Sequence, residues 1–382
     1  MSEPKDTVPV DDSMAKEFIR AATQSSPRSK FSPLDWISEL PRSTRMALGL
    51  ALLAFLYVLP WLKWLPLLPT TGSDFSTVLT TAVVPYVLIA LGLNVVVGQA
   101  GLLDLGYVGF FAVGAYTMGV LTTKHAHWSG ILWFAALVVS VAVAAAMGIL
   151  LGLPVLRLRG DYLAIVTLGF GEIIRIVAKN TSWLGAAEGI SGSPSMPSFL
   201  WFKIGILEAR WLWTIGLSVI LLVIFALSLL ERSRVGRAWT AIREDEDAAE
   251  LMGVPTFKFK LLAFSIGASV GSLGGVFYTT RNSAIYENQF AIQQSILFLA
   301  AVVLGGLGNR YGAVLGGFLV AYLPERLRFL ADKRFFAFGI VLVFMMIFRP
   351  QGLLPRRTKA RTASNSAVDA KSVADIAVGG AS

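Results

Sequence analysis

Residues 131–153 read ILWFAALVVSVAVAAAMGILLGL, a continuous apolar stretch that contains no charged side chain. A helix of about 20 apolar residues crosses the roughly 30 Å hydrocarbon layer of a membrane. Only helices and closed barrels satisfy their own backbone hydrogen bonds there, and barrel strands alternate apolar with polar residues. This stretch has no such alternation, so it predicts a transmembrane helix.

Similar apolar runs occur along most of the chain, which is 55% hydrophobic and 15% charged. They predict an all-α fold, a polytopic transmembrane helical bundle with about ten spans. The predicted spans cover residues 46–62, 77–97, 103–121, 131–153, 162–178, 211–230, 260–279, 292–307, 313–330 and 336–348.

Three regions follow from this pattern. Residues 1–45 are polar and predict a cytoplasmic tail that is disordered or partly helical. Residues 46–350 form the transmembrane domain, with a charged cytoplasmic loop at 231–260. Residues 351–382 are rich in Ala and Ser and predict a second disordered cytoplasmic tail.

Basic residues set the predicted orientation. Lys and Arg concentrate in the cytoplasmic segments of membrane proteins, and an even number of spans places both termini there. Arg42, Arg157 and the 232–243 segment all fall on that side, whereas Arg326, Arg328, Lys333 and Arg334 fall outside. Either the last two spans differ from those drawn, or these residues lie at the outer interface.

The composition argues against several classes of function. There is no Cys, which excludes disulfides and thiolate metal sites. His125 and His127 lack the further ligands that a metal site needs, so no metal is predicted. No Ser-His-acid set stands out, so no catalytic residues are predicted and the chain is not expected to be an enzyme. The net charge of +9 flanks the apolar runs, which argues against nucleic acid as a partner.

The loop at 231–260 contains a predicted helix over 238–252, which Gly253 and Pro255 terminate. Trp239, Ile242, Ala249 and Met252 fall in one sector of that helix. Two interpretations remain open: a helix that docks a soluble partner, or a solvated loop that sets topology.

Five segments carry a resemblance to a known family. They are 92–101 (GLNVVVGQAG), 159–171 (RGDYLAIVTLGFG), 247–253 (DAAELMG), 303–309 (VLGGLGN) and 349–353 (RPQGL). Together they resemble the permeases of branched-chain amino acid ABC importers, the hydrophobic amino acid uptake systems, and specifically the longer of their two permease subunits. The likeness extends from about residue 78 to residue 354.

The resemblance implies an ABC importer permease of the larger type in a bacterial cytoplasmic (inner) membrane. Its implied partners are a second permease subunit in a heterodimer, two cytosolic ATPase subunits, an extracytoplasmic substrate-binding protein and membrane lipid. ATP and Mg would be bound by the ATPases, because this chain has no G-x-x-x-x-G-K-[ST] phosphate loop and needs no cofactor of its own. The implied ATPase-coupling residues are Ile242, Arg243, Glu244, Asp245, Asp247, Ala248, Ala249, Met252 and Gly253.

Polar residues within or beside apolar spans are candidates for the translocation pathway, because burying them in lipid is costly. These candidates are Asn94, Gln99, Asp104, Tyr107, Asp161, Tyr162, Thr167 and Glu172. Glu172 and Arg175 can also form a structural ion pair, and Asn94 and Gln99 can serve as interhelical hydrogen-bonding groups near a break at Gly98 and Gly101.

Two glycine series have the small-xxx-small spacing that lets helices approach closely. They are Gly267, Gly271 and Gly275, followed by Gly308, Gly312 and Gly316. We predict a helix-packing role for all six.

The predicted function is to form half of the pathway for branched-chain or other hydrophobic amino acids. Two alternatives stay open. One is a permease of the same kind for urea or short amides. The other is an ion-coupled secondary transporter, which would need intramembrane carboxylates such as Glu172.

Overall fold

The computed structural model describes residues 42–61, 75–124, 132–158, 160–191, 209–282, 284–326, 333–349 and 351–354. The predicted tails at 1–45 and 351–382 fall almost wholly outside these ranges, as do His125, His127 and Arg328. The chain divides into two units, Met1–Leu59 and Pro60–Ser382. In the first unit the described element is helix α1, Arg42–Val58, which leads into a 3₁₀ turn at Leu59–Trp61.

Helices dominate the second unit. They are α2 (Phe75–Gln99), α3 (Val108–Gly119, extended by a π-helical turn over Val120–Lys124), α4 (Leu132–Val155), α5 (Asp161–Asn180), α6 (Ala209–Arg232), α7 (Arg234–Glu244), α8 (Glu246–Leu251), α9 (Thr256–Arg281), α10 (Ile292–Gly305), α11 (Arg310–Arg326) and α12 (Arg334–Phe348). Two-residue strands β1 (Ile190–Ser191) and β2 (Ala284–Ile285) pair antiparallel.

Each predicted span overlaps one of these helices, and the fold is that of an all-α membrane protein. By length and composition, α2, α4, α6 and α9 can cross a membrane, and shorter apolar helices lie at 49–61, 108–122, 292–305 and 335–345. α5 and α11 belong to neither group, so these criteria do not establish the predicted count of ten.

Helix α9 lies at the centre of the second unit and packs against α2, α3 and α4. Small residues on α9 allow this close approach, because a Cβ on Gly275 would overlap the backbone of α3 at Phe111. The Thr279 hydroxyl donates a hydrogen bond to the Ala115 carbonyl (3.1 Å), and Trp133 Nε1 donates to Thr280 Oγ1 (3.1 Å). These bonds satisfy polar groups that would otherwise be buried without partners.

Helix ends gather at two opposite ends of the unit. At one end, the last residues of α2 and α6 meet the first residue of α11. At the other end, β1 pairs with β2 beside the last turn of α5. Because α11 runs from Arg310 to Arg326, Arg326 lies at the end opposite the charged loop. The described helix covers most of the predicted ninth span, and Arg326 stays a basic residue on the outer side of the predicted topology.

Candidate coupling site and translocation residues

The charged loop between α6 and α9 forms two short helices, α7 and α8, so the single helix predicted over 238–252 is wrong. The break lies at Asp245, whose backbone is extended (φ −157°, ψ 111°). Its carboxylate accepts a hydrogen bond from the Ala248 amide (2.9 Å) and caps α8. Asp favours such caps over helix interiors. Gly253, with φ +83°, ends the segment at the predicted place.

The two helices are fixed to the start of α9. Trp239 is fully buried, and its Nε1 donates a hydrogen bond to the Phe259 carbonyl (2.8 Å). Ile242 is buried as well, and the buried Lys260 ammonium forms an ion pair with Glu246 of α8. These contacts hold α7 and α8, which we call the coupling segment, against α9.

Removing one partner of the Lys260–Glu246 ion pair is expected to destabilise α8. Glu246→Ala leaves a buried ammonium without its partner, which costs about 3 kcal/mol of local stability. The double variant Glu246→Ala/Lys260→Met removes both charges and is expected to recover most of that loss. Hydrogen exchange of the α8 amides measures it, and equal protection in the single variant and the parent would contradict the expectation.

The tip of the coupling segment is apolar and exposed. Leu251 is 89% exposed and Met252 is 84% exposed. Placing Met252 in one sector with Trp239 is therefore wrong, because the chain leaves the helix after Leu251. Of the other candidate coupling residues, Ile242 and Ala249 are buried. The exposed ones are Arg243, Glu244, Asp245, Asp247, Ala248 and Gly253.

Five residues join the coupling segment to the helix bundle: Gly98, Gln99, Glu231, Arg243 and Arg310. We call this group the junction. Gln99 Nε2 donates a hydrogen bond to Glu231 Oε1 (2.7 Å), and Arg310 Nη1 donates to Glu231 Oε2 (2.5 Å). The Arg243 guanidinium donates to the Gly98 carbonyl. Gln99 thus lies at a helix end in an interhelical network, and a pocket of about 310 Å³ adjoins it.

Asn94 is buried, and its Oδ1 accepts a hydrogen bond from the Gly308 amide (2.8 Å). Gly308 has φ +81° and lies in the turn between α10 and α11. Its assignment to a helix-packing series is therefore wrong, because the small-xxx-small spacing is meaningful only within a helix. Gly312 and Gly316 do lie on α11, where added Cβ atoms would overlap the backbone of α10.

Three of the five segments that carried the resemblance meet beside the junction. Asn94 of segment 92–101 accepts a hydrogen bond from Gly308 of segment 303–309. Segment 349–353 packs against the end of α10, where the Leu353 amide donates to the Leu304 carbonyl (2.9 Å). The Asn309 side-chain amide donates to the Leu354 carbonyl (3.0 Å). Residues far apart in sequence thus form one continuous contact region.

A non-helical segment, 100–107, connects α2 to α3, so the third helix begins later than predicted. Gly101 has φ +74°, and the buried Asp104 carboxylate accepts a hydrogen bond from the Gly106 amide (2.9 Å). The Leu105 amide donates to the Thr167 hydroxyl of α5 (3.1 Å). The Leu105–Thr167 bond therefore holds this segment against α5, and Asp104 shapes the turn within the segment.

Tyr107 is fully buried in a slot between α2 and α9. Its hydroxyl donates a hydrogen bond to the Gly267 carbonyl (2.6 Å). A Cβ at Gly92 or Gly271 would collide with that hydroxyl. The slot exists because these positions have no side chain.

The remaining candidates lie on α5. Asp161 is exposed and Tyr162 is 74% exposed. The predicted ion pair is present, since Arg175 Nε lies 3.0 Å from both carboxylate oxygens of Glu172. Glu287 extends the pair, because one of its oxygens lies 3.9 Å from Arg175 Nη1 and 3.5 Å from Lys179 Nζ. Thus α5 carries both exposed polar groups and an ionic cluster.

The comparisons with known proteins agree on one family. The model of the family described as "Branched-chain amino acid transport system / permease component" matches residues 76–349. No solved structure matches the chain significantly.

Three relatives illustrate the similarity. The high-affinity branched-chain amino acid transport system permease protein LivM of Salmonella typhimurium is 40% identical over 308 residues, covering 75% of this chain and 72% of the relative. LivM of Escherichia coli is 37% identical over 361 residues, covering 89% and 82%. The permease protein LivH of Salmonella typhimurium is 25% identical over 309 residues, covering 71% and 91%.

Proposed function

This chain belongs to the family of permease components of branched-chain amino acid transport systems, and from that membership we propose that it forms half of the translocation pathway of an ATP-driven importer. The solutes are branched-chain or other hydrophobic amino acids. The observation that carries the proposal is the exposed Leu251–Met252 tip on a segment anchored to α9. Two large apolar side chains exposed side by side suit a surface that a partner covers.

The partner at this tip is a separate ATPase. The chain has no phosphate-binding G-x-x-x-x-G-K-[ST] loop, so ATP and Mg are bound by two cytosolic ATPase subunits rather than here. The exposed coupling residues contact the ATPase, whereas buried Ile242 and Ala249 hold the segment in shape. Trp239 and Lys260 then pass the motion to α9.

The pathway runs along α5. Its exposed side carries Asp161 and Tyr162, and the Glu172–Arg175 pair is partly exposed. Ionisable groups are costly against lipid, so this side suits a wet passage shared with a second permease. The buried candidates support the passage indirectly, because Thr167 holds the 100–107 segment against α5 and Asp104 shapes the turn in that segment. Asn94, Gln99 and Tyr107 fix the helices behind it.

The proposed assembly contains this chain, a second homologous permease, two ATPases and an extracytoplasmic binding protein, embedded in lipid. Similarity to both LivM and LivH supports a pair of related permeases. About ten spans place both termini and the 231–260 loop on the cytoplasmic side of a bacterial inner membrane. Basic Arg232, Arg234 and Arg237 at the coupling end support this orientation.

Uptake by the reconstituted assembly tests the proposal. Vesicles holding all subunits, with loaded binding protein outside, are expected to accumulate leucine, isoleucine or valine only when ATP is inside. Accumulation of urea or acetamide instead would assign the amide alternative. Gradient-driven uptake by this chain alone, without ATPase, would replace the proposal with a secondary transporter.

A further inference from the structure

Glu231 occupies the last turn of α6, immediately before the coupling segment, and its two oxygens are held by two other helices. Gln99 at the end of α2 binds one oxygen, and Arg310 at the start of α11 binds the other (2.7 and 2.5 Å). Hydrogen bonds to a carboxylate, especially from a guanidinium, are among the stronger ones in proteins. One side chain therefore links three helix ends.

The coupling segment also contacts this turn of α2. Arg243 of α7 donates to the Gly98 carbonyl, one residue from Gln99. A Cβ on Gly101, which has φ +74°, would lie 3.0 Å from Arg243 Cγ. The turn from Gly98 to Gly101 is thus in contact with α7 and, through Glu231, with the end of α6.

We propose that Glu231 is a positioning residue that makes the Gly98–Gly101 turn and the start of α11 move with the coupling segment. The inference rests on the proposed function and names the link between the coupling segment and the helices. The Gly98–Gly101 turn packs closely against the turn that precedes α11, because a Cβ at Gly98 would overlap the Gly308 amide. Motion of α7 then displaces α2, and Glu231 carries α11 along with it.

Transport per ATP measures this link. In the reconstituted assembly, Glu231→Gln keeps an acceptor for Gln99 but places an amide against Arg310. We expect uptake to fall about tenfold while ATP hydrolysis stays near that of the parent. The pocket of about 310 Å³ at the junction gives room for the substitution, so assembly is expected to persist. Glu325→Gln, an exposed carboxylate at the far end of α11, serves as the matched control.

Reversing the charges of Glu231 and Arg310 distinguishes a positioning role from a role in folding. Glu231→Arg and Arg310→Glu are each expected to lose uptake, whereas the double variant restores the pair and regains at least about a third of it. Gln99 can accept from the new guanidinium through its Oε1. A double variant that is no better than the single ones, when all assemble, would overturn the proposal.

A distance measurement gives a spectroscopic signature. The chain has no Cys, so spin labels can be placed at exposed Arg237 of α7 and exposed Tyr311 at the start of α11. The label distance is expected to stay constant between nucleotide-free and ATP-trapped states in the parent and to change in Glu231→Gln. Equal distances in the parent and the variant through the cycle would overturn the proposal. Absence of ATP-driven uptake in the parent would instead count against the proposed function.

Discussion

Replacing Leu251 and Met252 together with aspartate is expected to abolish ATP-driven uptake, a loss of at least about 100-fold. These side chains are 89% and 84% exposed in the chain alone, so they contribute little to its own packing. In the assembly they would enter an apolar surface of the ATPase. A carboxylate buried there without a partner costs several kcal/mol.

Assembly and transport have to be measured on the same preparation. The double variant should co-purify with its partner permease but bind the ATPases weakly and show no uptake above background. Leu158→Asp, at a 38% exposed apolar residue between α4 and α5, is the control for adding charge at the same end. Full uptake by the Leu251/Met252 variant would remove the tip from the coupling surface.

Asp247 and Ala249 differ in burial, so only one of them is suitable for testing the surface around Leu251 and Met252. Asp247 is exposed, so Asp247→Lys changes the contact surface without a direct effect on packing. Ala249 is only 5% exposed, and Ala249→Arg would disrupt the packing of the segment even if no ATPase were involved. Sequence reasoning treats both positions alike, because they share one short motif.

The helices themselves were predictable because the membrane fixes their length and composition. The run at 131–153 becomes the helix Leu132–Val155. The break after Gln99 was also predictable, since Gly98 and Gly101 flank it. Local sequence is sufficient for features that one segment determines by itself.

Contacts between segments were not predictable. Glu231 and Arg310 are 79 positions apart, and neither stood out as a site residue before the fold brought them together. Gly308 has the same spacing as Gly312 and Gly316, yet its backbone is in a turn. Asp247 and Met252 share a motif, but only the three-dimensional course of the chain shows that the exposed apolar tip is Leu251–Met252.

The slot around Tyr107 gives the largest expected effect on folding. Gly271→Val is expected to prevent a stable permease, at a cost of about 3 kcal/mol or more. A Cβ at that position would lie 2.7 Å from the Tyr107 hydroxyl and 2.9 Å from two ring carbons. The ring is fully buried between helices and cannot move aside. The measurements are the fraction of the purified protein that forms a single folded species in detergent and the thermal unfolding midpoint of that species.

Gly339→Val on α12 is the matched control, because nothing lies within 4 Å of a Cβ at Gly339. Tyr107→Phe separates space from hydrogen bonding: it removes only the bond to the Gly267 carbonyl and is expected to cost about 1 kcal/mol. If Gly271→Val melted like the control, α9 would not be held against Tyr107. The proposed route from Trp239 and Lys260 through α9 to α2 and α3 would then lose its rigid element, because it requires these helices to pack closely.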